Sequence, residues 1–318
     1  MKSNVILLVC LLAAGVLAGC GGAVVSPTDQ SLISQADQLH GRLKPALIDD
    51  RDPRLRSYFE QVMARVTGAA RQLDQQGTIR SAAEGDNAGN AWMFAKNIDL
   101  HLVNSPEPAI FPSGGRHIYL YDGLFQQCLS EEELAALVCH AYAHLYLRHV
   151  QDDLRPNPGY SGEPALLVPF ATLQFTPTQE RAADTVAFQV YTRAGWDPSR
   201  FGGLYEHLYK DEVSGLDRGV LRERTLDANR RLPELPAATA DWLAPPVADD
   251  VRFAQLQGEV KKLIASAGRD TQAQLLLAAF PNCLNPAPTP AQARARQALL
   301  PPPPAPTENQ WGKGVQGR

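Results

Sequence analysis

No dense cluster of lysine or arginine occurs anywhere in the chain, which removes the electrostatic footprint of nucleic-acid binding. No internal repeat is present, so a helical-repeat array is excluded. The one long apolar run, residues 5–16, is too short to span a bilayer comfortably as a helix. Cysteine is scarce, with five in 318 residues, and only Cys128, Cys139 and Cys283 lie beyond the N-terminal twenty. An oxidising compartment permits one disulfide among these three, but the odd count fixes no pairing. Cys128 and Cys139 are expected to be buried, unpaired thiols.

What is present at the N-terminus reads as a targeting segment. Lys2 supplies a positive start and the apolar run follows at signal-peptide length. The run ends in Leu17-Ala18-Gly19-Cys20, which resembles the bacterial lipobox. That resemblance implies a signal peptide over residues 1–19 and a lipid on the Cys20 thiol. An ordinary secretory signal with a chance cysteine is the plainer alternative. Gly21-Gly22 lacks the aspartate that retains such lipoproteins in the inner membrane, so the expected location is the periplasm, anchored through Cys20 to the outer membrane. Loss of Lys2 with the signal takes the net charge from −4 to about −5.

A tether over residues 20–30 leads into the body of the chain. About 300 residues bury a sizeable core, so one main domain with a smaller appendage is expected. Apolar residues at helical spacing predict helices over 31–43 and 53–73, joined by the turn Asp49-Asp50-Arg51-Asp52-Pro53. A Gly- and Asn-rich loop is expected over 75–90. Alternation predicts strands at 98–103 and 117–121, with Pro106, Pro108 and Pro112 making the intervening segment an irregular edge. Ser130 and Glu133 form a capping-box pattern at the head of a helix that reaches His149. A further helix is expected over 178–194, closed by Gly195. Two weaker helical patterns, 251–265 and 272–280, lie in a C-terminal extension over 233–290, followed by a disordered Pro-rich tail over 291–318.

Three of the seven histidines fall between His140 and His149. His140 and His144 are four apart, so on a helix both imidazoles project from one face and can grip one metal ion. That spacing alone equally describes two polar residues satisfied by water. Glu180, on the next strong helix, completes a two-histidine, one-carboxylate set with a tetrahedral position left open. A solvated Glu-Arg helix surface is the ordinary alternative. Asp184, one turn later, is placed to accept the free N–H of His140 and fix its tautomer.

Several blocks occur together in order. Tyr119-Leu120-Tyr121-Asp122-Gly123-Leu124 precedes Ser130-Glu131-Glu132-Glu133-Leu134-Ala135, and His140, His144, Arg148 and His149 follow. Glu180, Ala183 and Asp184 come next, then Ala194-Gly195-Trp196-Asp197-Pro198. This series resembles the HtpX-like peptidases, which include the CAAX prenyl proteases and periplasmic lipoprotein peptidases. It covers roughly residues 43–231. The resemblance implies a mainly helical α+β fold, a gluzincin-type metallopeptidase domain over residues 31–232, with a small edge sheet over the active-site helix. It also implies one zinc ion held by His140, His144 and Glu180, with Asp184 behind His140.

The family motif is H-E-x-x-H, whereas here it reads His140-Ala141-Tyr142-Ala143-His144. Ala141 stands where the general base belongs. A metal-bound water can still reach a pKa near 7, but loss of the proton carrier lowers the rate by roughly 10²–10⁴. Catalysis is therefore expected to be weak or absent as written. Ala109-Ile110 stands in place of a substrate-edge Asn-Ala pair, and Thr225-Leu226-Asp227 in place of a later His-Pro pair. Tyr142, Arg230 and Arg231 are candidates for a transition-state contact, although packing or solvated charge describes each of them too. Ala141 fits either a natural lapse or an engineered inactivation; the changes at Ala109 and Leu226 tilt towards the former. Three functions compete: an envelope endopeptidase for polypeptide substrates in protein quality control, a pseudo-peptidase that binds extended polypeptides or outer-membrane assembly partners, and a lipoprotein whose zinc only staples helices together.

Overall fold

Helical periodicity and capping chemistry account for most of the architecture. A computed structural model describes residues 27–80, 87–94, 98–150, 173–231, 248–285 and 288–299. The signal peptide, Cys20, the segment after His149 from residue 151 to 172, and residues 300–318 of the tail lie outside the described residues. Among the described residues no helix is long and apolar enough to cross a membrane.

Helix α1 (Pro27–Leu43) and α2 (Pro53–Gln75) open the chain. Asp52 caps α2 by accepting from the Arg54 amide at 2.9 Å, and Pro53 sits in the first turn, where its missing N–H is no loss. Leu55, Tyr58, Phe59, Val62, Met63 and Val66 form the buried stripe of α2. Strand β1 (Asp99–Val103) pairs in parallel with β3 (His117–Tyr121), and β2 (Ile110–Pro112) pairs antiparallel on the other side of β3. The three-stranded sheet thus has the order β1-β3-β2. Pro112 is tolerated because β2 is an edge. The fold is mainly helical α+β.

A short helix α3 (Asp122–Phe125) follows β3 directly. Gly123 there passes so close to the Pro106 carbonyl that any Cβ would collide with backbone, which explains the glycine. Helix α4 (Glu131–Tyr146) is capped by Ser130, whose Oγ accepts from the Glu133 amide at 3.3 Å. The Glu133 carboxylate reaches one residue further back than a capping box requires, accepting from the Leu129 amide at 2.7 Å. Helix α5 (Pro177–Arg193) packs along α4 and carries a full capping box between Thr176 and Gln179. It ends in a Schellman motif: Gly195 has φ +90°, the Trp196 amide donates to the Tyr191 carbonyl, and the two rings stack at 5.6 Å.

The expected course of α4 as far as His149 is corrected. The helix ends at Tyr146 and Arg148 adopts φ +58°, a left-handed conformation uncommon for a residue with a Cβ. Arg148 is held there by buried contacts of 3.2 and 3.3 Å to Asp29 of α1. The disordered tail is corrected at its start, because α10 (Pro290–Leu299) is a helix. Between these come α6 (Gly203–Lys210), α7 (Arg218–Arg231), α8 (Asp250–Ser266) and α9 (Thr271–Ala279). Phe253, Leu256 and Val260 of α8 and Leu276 and Leu277 of α9 join the main hydrophobic core.

Glu131, at the N-terminus of α4 and 3 % exposed, ties four elements together. It accepts from Tyr58 Oη at 3.0 Å, Arg65 at 2.9 Å, Trp196 Nε1 at 3.2 Å and the Asp249 amide at 3.2 Å. The helix dipole adds to its stability there. Glu131→Ala leaves the Arg65 charge and three further donors without their acceptor. The expected loss is about 3 kcal/mol in urea denaturation, typical of breaking a buried ion pair. A loss below about 1 kcal/mol would place the hub among exposed pairs of little weight.

Candidate metal centre

The helical spacing of four that links His140 and His144 brings their Nε2 atoms to 3.1 Å in the core, both side chains fully buried. Glu180, in the first turn of α5, sends Oε2 to 3.2 Å from His140 Nε2 and 3.6 Å from His144 Nε2. Ligands about 2.0–2.1 Å from a tetrahedral zinc lie roughly 3.3–3.4 Å from one another. The three atoms therefore mark one face of such a tetrahedron. Glu180 Oε1 is buried with no hydrogen-bond partner among the described residues, as befits a carboxylate whose valence is incomplete without a cation. The donor set fits the metal.

The far sides of both imidazoles are held. Asp184 Oδ1 lies 2.8 Å from His140 Nδ1. His149 Nδ1 lies 3.1 Å from His144 Nδ1, a contact made possible by the left-handed turn at Arg148. His149 was read as part of the helix motif without a role; the break in α4 could not be anticipated from spacing.

Burial pushes His144 down to about 4, outweighing the raising effect of Glu180, so the ring is neutral and its lone pair available. His149 is pushed down to about 3 by burial and by His144. Burial opposes ionisation of Glu180 and Asp184 as well. For Glu180, His144 and Arg224 outweigh it, and for Asp184, Arg224 and His140 do, so both carboxyls stay well below the usual range. His140 is raised despite burial and Arg224, because Asp184 and Glu180 favour its protonated form. A metal at the site displaces that proton.

Two residues of the site were missed by sequence reasoning. Arg224 of α7 is buried, with its guanidinium 2.9 Å from Asp184 Oδ1, 3.2 Å from Glu180 Oε2 and 2.8 Å from His140 Nε2. It also donates to the Cys283 carbonyl at 2.9 Å and covers the Tyr205 ring. Its signal lay in register: Leu221, Arg224 and Ala228 form the buried stripe of α7. Cys283 is a free, buried thiol whose Sγ lies within 4.8 Å of the histidine ligand atoms. Cys128 and Cys139 are free and buried too.

The segment that carries Cys283 covers the outer edge of β2. The Cys283 amide donates to the Ile110 carbonyl at 3.1 Å, and Asn282 Oδ1 accepts from the Ile110 amide at 3.3 Å. Asn282 also donates to the Pro108 carbonyl at 2.9 Å. The backbone edge through which an extended peptide adds to a sheet is therefore paired within the chain. A cleft of about 450 Å³ between α5 and α7 is lined by Glu180, Asp184, Arg224, Leu226 and Arg230.

The remaining candidates are placed as follows. Ala141 is wholly buried and offers no titratable group. Tyr142 donates to the Met93 carbonyl at 3.2 Å, a packing role. Arg231 pairs with Asp227 and Thr185. Ala109 is buried, with its carbonyl accepting from the Tyr121 amide, and Leu226 is exposed.

No family model matches the chain. It is 21 % identical over 181 residues to the mitochondrial metalloendopeptidase OMA1 of Saccharomyces cerevisiae, covering 52 % of each protein. The corresponding OMA1 of Schizosaccharomyces pombe is 25 % identical over 125 residues, 35 % of this chain and 37 % of that one. The beta-barrel assembly-enhancing protease of Escherichia coli K12 is 26 % identical over 132 residues, 34 % of this chain and 27 % of the relative. The chain spans about half, or less, of the length of these curated relatives. The site of two histidines and a carboxylate thus sits in a chain with weak similarity to metallopeptidases.

Proposed function

We propose that this chain is a zinc-binding, metalloendopeptidase-type lipoprotein of the bacterial envelope, related to the HtpX-like peptidases, with catalysis weak or absent as written. The observation that carries the reading is the triangle of His140 Nε2, His144 Nε2 and Glu180 Oε2, with edges of 3.1, 3.2 and 3.6 Å. Zinc bound there would supply a polarised water and a Lewis acid for a peptide carbonyl. Asp184 and His149 orient the two imidazoles, and the buried pocket keeps them neutral or proton-exchangeable. At position 141 the methyl group can neither take a proton nor return one. The proposed anchor is the Cys20 lipid, the proposed compartment the periplasmic face of the outer membrane, and the proposed role envelope protein quality control on polypeptide clients.

A second reading, a pseudo-peptidase that retains extended polypeptides or outer-membrane assembly partners, is favoured by Ala141 alone. Occupation of the β2 edge by Asn282 and Cys283 weighs against it, because a client strand has to displace them. A zinc that only staples helices agrees better with that closed edge.

Ala141→Glu is expected to raise zinc-dependent cleavage of unfolded casein by about 10²–10⁴ over the unaltered chain. The same change combined with Asn282→Ala, which removes the side chain that occupies the Ile110 amide and the Pro108 carbonyl, separates a blocked edge from a missing base. If both variants hold zinc and neither cuts, the lost-glutamate account is wrong.

Glu180→Ala is expected to bind one equivalent of zinc fewer than the unaltered chain. Arg224→Gln removes a cation that competes for the same carboxylates, so its zinc affinity at this centre should rise by about tenfold, the factor for 1.4 kcal/mol. Both are read by metal analysis and competition with a chromophoric chelator. Equal zinc content in Glu180→Ala and the unaltered chain would exclude the centre.

A further inference from the structure

A second group of imidazoles lies apart from the residues of the metal centre. The β-strand period puts His117 and Tyr119 on one face of β3, and the parallel register sets His101 of β1 opposite Tyr119. His40, from the last turn of α1, covers this face. Its ring stacks on His117 at 4.2 Å and lies 4.6 Å from His101. His101 and His117 are buried, and His40 is half-buried.

The hydrogen bonds of this group conflict unless a cation is present. Asp49 Oδ2 lies 3.2 Å from His101 Nδ1, and Asp37 Oδ1 lies 3.0 Å from His117 Nε2. Ionised carboxylates only accept, so these two ring nitrogens carry the protons. Each neutral ring then has one lone pair left, on His101 Nε2 and on His117 Nδ1. Those two atoms face each other at 3.0 Å. Two lone pairs at that distance repel, and only a proton or a metal ion between them resolves the contact.

We propose that His101, His117 and His40 form a second divalent transition-metal site, of the imidazole-rich kind that takes zinc, between α1 and the sheet. The separation of 3.0 Å is close to the roughly 3.3 Å edge of a tetrahedral zinc site. Asp49 and Asp37 stand behind their imidazoles as carboxylates do behind ligating histidines, fixing tautomer and raising basicity. Asp49 is itself fixed by the Leu102 amide at 3.0 Å and faces Arg56 at 3.6 Å; Asp37 is paired with Arg116 at 2.7 Å. Each carboxylate charge is thus already opposed by an arginine.

A bridging proton fits less well. A proton between two rings needs no third imidazole, whereas a metal does. Ligand atoms of all three histidines lie within 4.8 Å of one another. His40 Nδ1 is 3.1 Å from Tyr119 Oη, so a ring that donates there offers Nε2. The half-buried ring has to turn from its stacked position to complete the set.

The test is zinc chloride titration of the full chain, unaltered and as His40→Gln, His144→Gln and the double variant, with folding checked by circular dichroism. His40→Gln should bind one equivalent fewer than the unaltered chain, or bind that equivalent about tenfold or more weakly. Zinc should also shift the ring nitrogen resonances of His101 and His117 in the unaltered chain. Identical binding by the unaltered chain and His40→Gln, with those resonances unmoved by zinc, overturns the site. A stoichiometry lowered only by His144→Gln leaves the first centre standing without the second. One lowered only by His40→Gln does the reverse.

Discussion

A buried guanidinium dictates how the centre is assembled. Arg224 is 7 % exposed and lies between two carboxylates, Glu180 and Asp184, that are buried to a similar degree. Removing such groups from water costs several kcal/mol per ion, which only close pairing offsets. Arg224 meets that condition by reaching Asp184, Glu180 and the Cys283 carbonyl at once, so it joins α5, α7 and the segment before α10 around His140 of α4. The same contacts raise the guanidinium's own affinity for its proton; Asp184, Tyr205 and Glu180 outweigh the effect of burial. A fixed positive charge therefore stands at the edge of the position that a metal would take. Charge balance, as much as ligand geometry, governs what this site can hold.

Much of the scaffold was legible because it rests on local chemistry. The turn before Pro53, the Ser130 cap, Gly195 after α5 and the spacing of His140 and His144 are short-range signals, and each sets an element boundary or a shared helix face. Glu180 and Asp184 fall one turn apart on α5 for the same reason. Legibility ended where contacts depend on tertiary packing. Arg222, Glu223 and Arg224 look alike along the chain, yet only Arg224 falls in the register of Leu221 and Ala228, on the buried face of α7. The spacing of charge along the chain does not separate it from its neighbours, whereas the apolar period around it does.

The turn at Arg148 is illegible for a different reason. A non-glycine residue at φ +58° is unfavourable in isolation and gives no compositional sign of itself. The conformation is held by Asp29, 119 residues earlier, whose side chain is 1 % exposed. That ion pair carries α1 onto the end of α4 and swings His149 back to His144. Residues far apart in sequence thus fix the orientation of an imidazole in the centre. A helix continued past Arg148 would point His149 elsewhere.

Charge also bears on Ala141. Arg224 offsets part of the negative charge of Glu180 and Asp184, and those two carboxylates favour the protonated form of His140. A carboxylate at position 141 would add a negative charge in the same wholly buried turn of α4 and leave it uncompensated unless a dication were present. Alanine there adds no such charge. The paired β2 edge follows the same direction, since Asn282 and Cys283 satisfy both backbone groups of Ile110. Apart from Glu180 Oε1, the polar groups of the site and of the β2 edge are thus largely satisfied from within the chain, so that a metal or an added strand must displace existing partners in order to bind.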